Sequence, residues 1–180
     1  LEDFDVCDIV IEAIVENVQA KQQLFAALSK VMSPDCVFAS NTSALPLEEL
    51  ASTASNPSRV VGLHFFNPVG RMPLVELVLS KHTSRATADR ALAFVKALGK
   101  TPVICRSSPG FLVTRVLFFY LNEACRLWEQ GLATDSIDRA LRDWGWPMGP
   151  MRLIDEVGVD VTDFIFDEMQ HYFPDRFTAT

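Results

Sequence analysis

The chain has 180 residues, enough for one large domain or two small ones. Hydrophobic residues make up 49% of it and charged residues 22%, which excludes a disordered chain. The net charge of −7 argues against a nucleic-acid-binding protein, and a phosphate-rich ligand would need a local basic patch.

The predicted elements begin with a strand, Val6–Ile14, followed by a helix that Asn17 caps and that runs to about Met32. A second strand covers Cys36–Ala39. A short helix, Pro46–Ala51, comes next, with proline in its first turn.

Two strands then follow closely, Val60–His64 and Leu74–Leu79. A helix begins at Thr87 and ends at Gly99, and Pro102–Cys105 forms the fifth strand. Strands with few polar residues, separated by helices, predict an α/β fold with a mostly parallel sheet covered on both faces.

From Pro109 onward the pattern is helical only. The predicted helices share an apolar stripe and are Pro109–Gln130, Asp135–Trp144, Pro150–Val157 and Val159–Phe173. We place the boundary between an α/β domain and a helical domain near Ser107–Ser108. The apolar face of Phe111–Trp128 and the aromatic cluster near Trp144 are expected to bury a subunit or domain interface.

The four cysteines are scattered and form no C-x-x-C motif; they are Cys7, Cys36, Cys105 and Cys125. We therefore expect neither a disulfide framework nor a metal site, and a reducing compartment fits best. No signal peptide opens the chain. The richest apolar run, Val116–Leu121, is far too short to cross a bilayer.

The strongest candidate for chemistry is a histidine followed twelve residues later by a carboxylate in an apolar run. His64 ends one predicted strand and Glu76 lies in the middle of the next. Burying a carboxylate is costly unless it is paired, and an imidazole held by a carboxylate is a general base. By spacing alone, His64 could be structural and Glu76 could pair with an Arg or Lys.

Other polar residues have two interpretations each. Ser43 follows a strand end, where ligands of parallel sheets lie, but it could equally cap the helix that begins at Pro46. Asn67 precedes a proline and could be a turn residue. Lys21 could be a solvated helix charge unless a ligand passes beside it.

The remaining histidines and the tryptophans carry no recognisable motif. His82 and His171 are interpreted as surface residues. The tryptophans are interpreted as core and interface anchors; they are Trp128, Trp144 and Trp146.

Seven motifs in order cover nearly the whole length. They are E-A-I-V-E-N (12–17), A-S-N-T-S (39–43), G-L-H-F-F-N-P-V (62–69), M-P-L-V-E (72–76), L-G-K-T-P (98–102), P-G-F-L-V (109–113) and P-M-G-P (147–150). With them the chain resembles the L-3-hydroxyacyl-CoA dehydrogenase family. In style it is closest to the dehydrogenase part of multifunctional fatty-acid oxidation complex alpha subunits.

The resemblance implies a Rossmann-type NAD-binding domain over residues 1–107 and a helical substrate and dimerisation domain over 108–180. The glycine-rich turn G-x-G-x-x-G is missing, so the resemblance implies a fragment that begins in the second half of the Rossmann fold. The helical domain is expected to be incomplete as well.

The resemblance also assigns roles. His64 is the catalytic base and Glu76 its orienting partner. Ser43 and Asn67 contact substrate and nicotinamide. Glu16 and Lys21 match family positions that contact the dinucleotide. Thr114 stands where P-G-F-x-V-N-R would have asparagine, and it matches a substrate-binding position.

The implied reaction is NAD-dependent oxidation of an L-3-hydroxyacyl-CoA to the 3-ketoacyl-CoA in fatty-acid β-oxidation. The implied assembly is a homodimer or a multifunctional complex with hydratase and thiolase activities. The implied location is the bacterial cytoplasm, or a mitochondrion or peroxisome in a eukaryote. The alternatives are a short-chain 3-hydroxybutyryl-CoA dehydrogenase and a non-catalytic relative of the same fold.

Overall fold

The computed structural model describes residues 4–180, and these divide into two units between Phe111 and Leu112. In the first unit strands and helices alternate: β1 (Ile9–Glu12), α1 (Val18–Leu28), β2 (Val37–Ser40), α2 (Leu47–Ala51), β3 (Val60–Phe65), β4 (Leu74–Leu79), α3 (Arg85–Ala97) and β5 (Thr101–Arg106).

The five strands form one sheet in the order β1-β2-β3-β4-β5. The first three strands are mutually parallel, and β5 is parallel to β4. The β3–β4 pair is antiparallel, because the connection between them, residues 66–73, is too short for a crossover helix. The α/β prediction with a mostly parallel sheet is confirmed, with one reversal inside the sheet.

Helices cover both faces of this sheet. The α3 side carries a buried cluster of small and branched residues: Val37, Ala39, Val61, Leu63, Val75, Leu77, Ala91 and Val95. On the opposite face, Phe25 of α1 stacks on Phe38 with ring centroids 3.9 Å apart. Because strand side chains alternate, that same face receives the polar residues of the strands: Glu12, Ser40, His64 and Glu76.

The second unit, Leu112–Thr180, is helical: α4 (Val113–Glu129), α5 (Thr134–Trp144), α6 (Pro150–Val157) and α7 (Val159–Tyr172). Its core joins α4, α6 and α7 through Phe118, Leu121, Ile154, Ile165, Phe166, Met169 and Phe177. No helix within residues 4–180 is long and apolar enough to cross a membrane.

Several predicted boundaries shift for local reasons. The first helix is capped by Asn17 as predicted, since its side chain accepts the Ala20 N–H at 2.9 Å, but it ends at Leu28. The third helix begins before Thr87, because the Ser84 hydroxyl accepts the Thr87 N–H and caps it.

The helix predicted from Pro109 begins only at Val113. The preceding turn contains left-handed backbone at Gly110 (φ 68°) and Phe111 (φ 44°), which a helix cannot include.

Candidate active site

The antiparallel pairing of β3 and β4 places His64 directly opposite Glu76. The imidazole Nδ1 lies 2.7 Å from Glu76 Oε2, and Glu76 is fully buried while His64 is 6% exposed. Side chains directly opposite on such a pair are close neighbours on one face. The two residues that the sequence suggested as a pair are therefore in contact.

This geometry assigns the two ring nitrogens. An ionised carboxylate has no proton to donate, so Nδ1 carries the hydrogen and donates it to Glu76, which leaves Nε2 with a lone pair. The rings of Phe66 and Phe111 flank the imidazole, with centroids 4.5 and 6.0 Å away. The arrangement is a nearly buried histidine whose Nδ1 is held by a carboxylate and whose ring is flanked by two aromatic rings.

A second polar group lies on the same face at the ends of β1 and β2. Lys21, on the first turns of α1, is 0% exposed, and its Nζ lies 2.9 Å from both carboxylate oxygens of Glu12. Nζ also donates to the Ile14 carbonyl at 3.3 Å. The buried Ser40 hydroxyl donates to Glu12 Oε1. The interpretation of Lys21 as a solvated helix charge is wrong, because its ammonium is buried and paired with the carboxylates of Glu12 and Glu16.

Glu16 connects this buried group to the turn after β2. Its Oε2 lies 3.3 Å from Lys21 Nζ, and its Oε1 accepts the Ser43 N–H at 2.9 Å and the Thr42 hydroxyl. On the same turn, Asn41 Oδ1 accepts the N–H of Phe65, the residue after His64, at 2.9 Å. The turn after β2 is thus bonded to the start of α1 and to the end of β3.

Ser43 and Asn67 both follow strand ends, and the side chains of both are without a hydrogen-bond partner among residues 4–180. Ser43 does not cap the following helix. The first amide of α2, that of Leu47, donates to Ser107 Oγ at 3.0 Å, and the Ser107 hydroxyl in turn donates to Glu48. Of the two alternatives for Ser43, the helix cap is wrong, and contact with a ligand stays a prediction.

The other predicted positions have simple placements. Thr114 lies buried in the first turn of α4, in the second unit. His82 and His171 are exposed, as predicted. Trp146 stacks on Tyr120 with centroids 4.6 Å apart. Trp128 and Trp144 are 55% and 79% exposed, so they are not core residues, and their role as interface anchors stays a prediction.

Sequence reasoning missed Glu12 and Asn41. The signal for Glu12 was the one that singled out Glu76, a carboxylate within an apolar strand run. Asn41 sat inside the quoted A-S-N-T-S motif, but its partner lies on another strand, so no spacing rule could have identified it.

Neither a disulfide nor a metal-ligating cluster is part of the site within the described residues. Among residues 4–180 no disulfide joins the four cysteines, and no cluster of three metal-ligating side chains occurs. Burial raises the pKa of the Cys36 and Cys125 thiols, which favours the protonated, less nucleophilic form.

In this sheet the polar side chains gather at strand ends, around a histidine–carboxylate pair. This arrangement is typical of α/β enzymes that bind ligands at those ends.

Two family models match the chain: 3-hydroxyacyl-CoA dehydrogenase, NAD binding domain, over residues 1–108, and 3-hydroxyacyl-CoA dehydrogenase, C-terminal domain, over residues 110–180. The chain belongs to the 3-hydroxyacyl-CoA dehydrogenase family, whose members are NAD-dependent oxidoreductases.

Among curated proteins, the chain is 42% identical over 172 residues to the fatty acid oxidation complex subunit alpha of Shewanella amazonensis, and equally so to that of Shewanella frigidimarina. Each match covers 96% of this chain and 24% of the relative. The chain thus spans about a quarter of the length of the curated relatives it matches.

Among solved structures, the chain is similar to FadB2 of M. tuberculosis, with a TM-score of 0.93 and 42% identity, covering 96% of this chain and 62% of that one. It is also similar to 3-hydroxybutyryl-CoA dehydrogenase of Escherichia coli K12, with a TM-score of 0.88 and 40% identity over 96% of this chain and 37% of that one.

Proposed function

We propose that the protein to which this chain belongs oxidises L-3-hydroxyacyl-CoA to 3-ketoacyl-CoA with NAD, as a step of fatty-acid β-oxidation. The observation that carries the proposal is the buried His64–Glu76 pair, with Nδ1 bonded to the carboxylate at 2.7 Å and Nε2 left with a lone pair. Family membership supplies the class of substrate and cofactor.

His64 is the general base in this proposal. Its Nε2 takes the proton of the substrate hydroxyl, and Glu76 stabilises the imidazolium that forms. In the reverse direction the imidazolium returns the proton to the ketone oxygen. Such proton transfer typically contributes about 10²–10⁴ in rate. Phe66 and Phe111 reduce the access of water to the ring.

The residues present fit the nicotinamide end of the cofactor. Ser43 and Asn67 offer side chains without internal partners at the ends of β2 and β3, and we propose that they hold nicotinamide and substrate oxygens. The chemistry that NAD supplies when bound is acceptance of the hydride from the hydroxyl-bearing carbon. Glu16 and Lys21 are proposed on the dinucleotide. Thr114 is proposed on the substrate.

The proposed assembly is a homodimer, or a multifunctional complex with hydratase and thiolase activities. It is supported by exposed apolar residues of the second unit, Val116, Trp128 and Trp144, which are 67%, 55% and 79% exposed. Bacterial relatives support a cytoplasmic location.

The test is NADH oxidation by the full-length parent protein with acetoacetyl-CoA and longer 3-ketoacyl-CoAs. We expect turnover by the wild type and its loss in His64→Ala, with folding matched by circular dichroism. His82→Ala, an exposed histidine, is the control and should keep wild-type turnover. Absence of wild-type turnover, or an active His64→Ala variant, contradicts the proposal.

The second candidate is a short-chain 3-hydroxybutyryl-CoA dehydrogenase. It is favoured by the similarity to the E. coli enzyme of that name and to (S)-3-hydroxybutyryl-CoA dehydrogenase PaaH1 of Ralstonia eutropha, at 36% identity over 97% of this chain and 62% of that one, with a TM-score of 0.91. Rates that fall steeply as the acyl chain lengthens would select this candidate.

A further inference from the structure

The β3–β4 loop, residues 66–73, is exposed from Asn67 onward. It carries Asn67, the residue proposed to contact substrate and nicotinamide. Inside the loop, the Pro68 carbonyl accepts the N–H groups of Arg71 at 2.9 Å and Met72 at 3.0 Å. An exposed segment with few internal bonds opens readily, so the conformation of this loop depends on contacts from the rest of the sheet.

Lys100 supplies such contacts. Its Nζ donates to the main-chain carbonyl of Met72 at 2.8 Å and to that of Val69. The next residue, Thr101, donates its N–H to the Pro73 carbonyl at 2.8 Å. Hydrogen bonds from an ammonium are stronger than those from neutral donors. The second half of the β3–β4 loop is therefore held by two consecutive residues at the start of β5.

The main chain of Lys100 is itself fixed by the end of α3. Gly99 is left-handed, with φ 70°, and its N–H donates to the Lys96 carbonyl at 3.0 Å. The N–H of Lys100 donates to the Val95 carbonyl at 3.2 Å. These two bonds form a Schellman motif, a common way to end a helix. The ammonium of Lys100 thus reaches the loop from a firmly held backbone.

The strand register places Lys100 at the edge of the sheet where His64 lies. Leu74, the first residue of β4, is in register with Thr101, and the antiparallel β3 ends beside the start of β4. A change in the loop would therefore move Asn67 relative to the imidazole. Misplacement of a contact residue by about 1 Å can lower a rate by about 10².

We propose that Lys100 is a positioning residue of the site: by holding the carbonyls of Val69 and Met72, it fixes Asn67 relative to His64. Among residues 4–180 Lys100 forms no ion pair, so its ammonium is directed to the loop carbonyls. The proposal rests on the proposed dehydrogenase function and on the proposed ligand contact of Asn67.

The first measurement follows the loop itself, by limited trypsin digestion of the full-length parent protein and peptide mass spectrometry. Lys100→Met should speed cleavage after Arg71, inside the loop, by about threefold or more, because the open loop is then more populated. Cleavage after Lys81, an exposed position outside the loop, is the internal reference and should not change. An unchanged rate after Arg71 would overturn the proposal.

The second measurement is NADH-linked reduction of acetoacetyl-CoA, with rates compared per folded molecule. Lys100→Met should lower kcat/KM by about threefold to thirtyfold. In an Asn67→Ala background the same change should have less than about a twofold effect, because the side chain that Lys100 positions is gone. Equal losses in the two backgrounds would show that Lys100 does not act through Asn67, and would also overturn the proposal.

The control is Lys96→Met, the same change at an exposed position in the last turn of α3, which should keep wild-type kinetics and the wild-type cleavage rate after Arg71. Lys100→Met is expected to fold, since the carbonyls that it releases belong to exposed residues that water can reach. If it is not recovered folded, Lys100→Gln, with a shorter and uncharged side chain, carries both measurements with the same expected results.

The failure of this proposal and that of the proposed function are distinguishable. Absence of turnover by the wild type overturns the proposed function. An active wild type whose loop or kinetics do not respond to Lys100→Met as described overturns only the role of Lys100.

Discussion

His64 and Glu76 face each other across the one antiparallel step of the sheet, and the imidazole Nδ1 donates to Glu76 Oε2 at 2.7 Å. The reversal at residues 66–73 brings a strand end into register with the interior of the next strand. A fully buried carboxylate therefore meets a histidine that is nearly buried. This contact supports the proposal that His64 is the general base, and it makes the charge of Glu76 part of the proposed mechanism.

Glu76→Gln should lower kcat of the full-length parent protein by about 10²–10⁴, because a neutral amide neither fixes the tautomer nor stabilises the imidazolium. The measurement is NADH oxidation at saturating substrate, with folding matched by circular dichroism. Glu129→Gln, at an exposed position, is the control. A kcat within about twofold of wild type would remove Glu76 from the mechanism.

Gly62→Ala should destabilise the first unit by about 1–3 kcal/mol. Gly62 lies two residues before His64, and an added Cβ would approach Val78 Cβ to 2.8 Å and Leu47 Cδ1 to 3.4 Å. Urea denaturation measures the change in the free energy of unfolding. Gly70→Ala meets no atom within 4 Å and should change stability by less than about 0.5 kcal/mol. Equal stabilities for the two variants would contradict the prediction.

Gly149→Ala and Asp138→Ala should be energetically coupled. Asp138 caps α6 by accepting the N–H groups of Met151 (2.8 Å) and Arg152 (3.0 Å), and a Cβ at position 149 would lie 2.2 Å from Asp138 Cγ. Asp138→Ala should cost about 1–2 kcal/mol through loss of the cap.

Gly149→Ala should cost less in the Asp138→Ala background than in the wild type, by about 0.5–3 kcal/mol, since the Asp138 carboxyl atoms at 2.2 and 2.3 Å are then absent and only the Cβ at 2.4 Å remains. Denaturation of all four proteins of the cycle measures this coupling. Strictly additive losses would refute the close approach. Asp143→Ala, an exposed aspartate on α5, is the matched control.

Cys36 should be alkylated far more slowly in the folded protein than in the unfolded one at pH 8. Burial is the main cause that raises the pKa of this thiol above its ordinary value of 9.0, with Cys7 adding to it, and the thiolate is the reactive form. Iodoacetamide labelling followed by peptide mass spectrometry measures the rate, with the half-buried Cys105 as the internal comparison.

The raised pKa of Cys36 also makes the free energy of unfolding depend on pH. Because the folded-state pKa of Cys36 is raised, its contribution to folding is fully present below the unfolded pKa. That contribution is lost as pH rises through about 9 toward the folded value. Labelling of Cys36 as fast as Cys105 would contradict both statements.

Val116→Asp and Trp144→Glu should weaken self-association of the full-length protein. Both side chains are apolar and largely exposed, 67% and 79%, and a charge in a buried interface is unfavourable. Sedimentation velocity across a range of concentrations measures the effect. Leu98→Asp, at a 48% exposed position of the first unit, is the control. A wild type that stays monomeric at every concentration would contradict the proposed dimer.

Much of the fold was predictable because the relevant signals are local. The span Leu74–Leu79 and the helix Pro150–Val157 agree with the structure residue for residue, since each is bounded by turn or proline signals next to it in sequence. The start of α4 was not predictable in this way. Its first predicted turn contains Phe111, whose backbone is left-handed. A phenylalanine side chain does not indicate this conformation.

The sequence by itself determined the strand and helix pattern, the α/β class and the residue types available for chemistry. Side-chain alternation together with the strand register, which only the structure gives, places Glu12, Ser40, His64 and Glu76 on one face of the sheet. Only the tertiary structure decided which of these side chains meet. The antiparallel register joins His64 to Glu76, and packing of α1 on the sheet turns Lys21 from a surface charge into a buried partner of Glu12. Contacts between residues distant in sequence depend on strand order, direction and register, which no local pattern specifies.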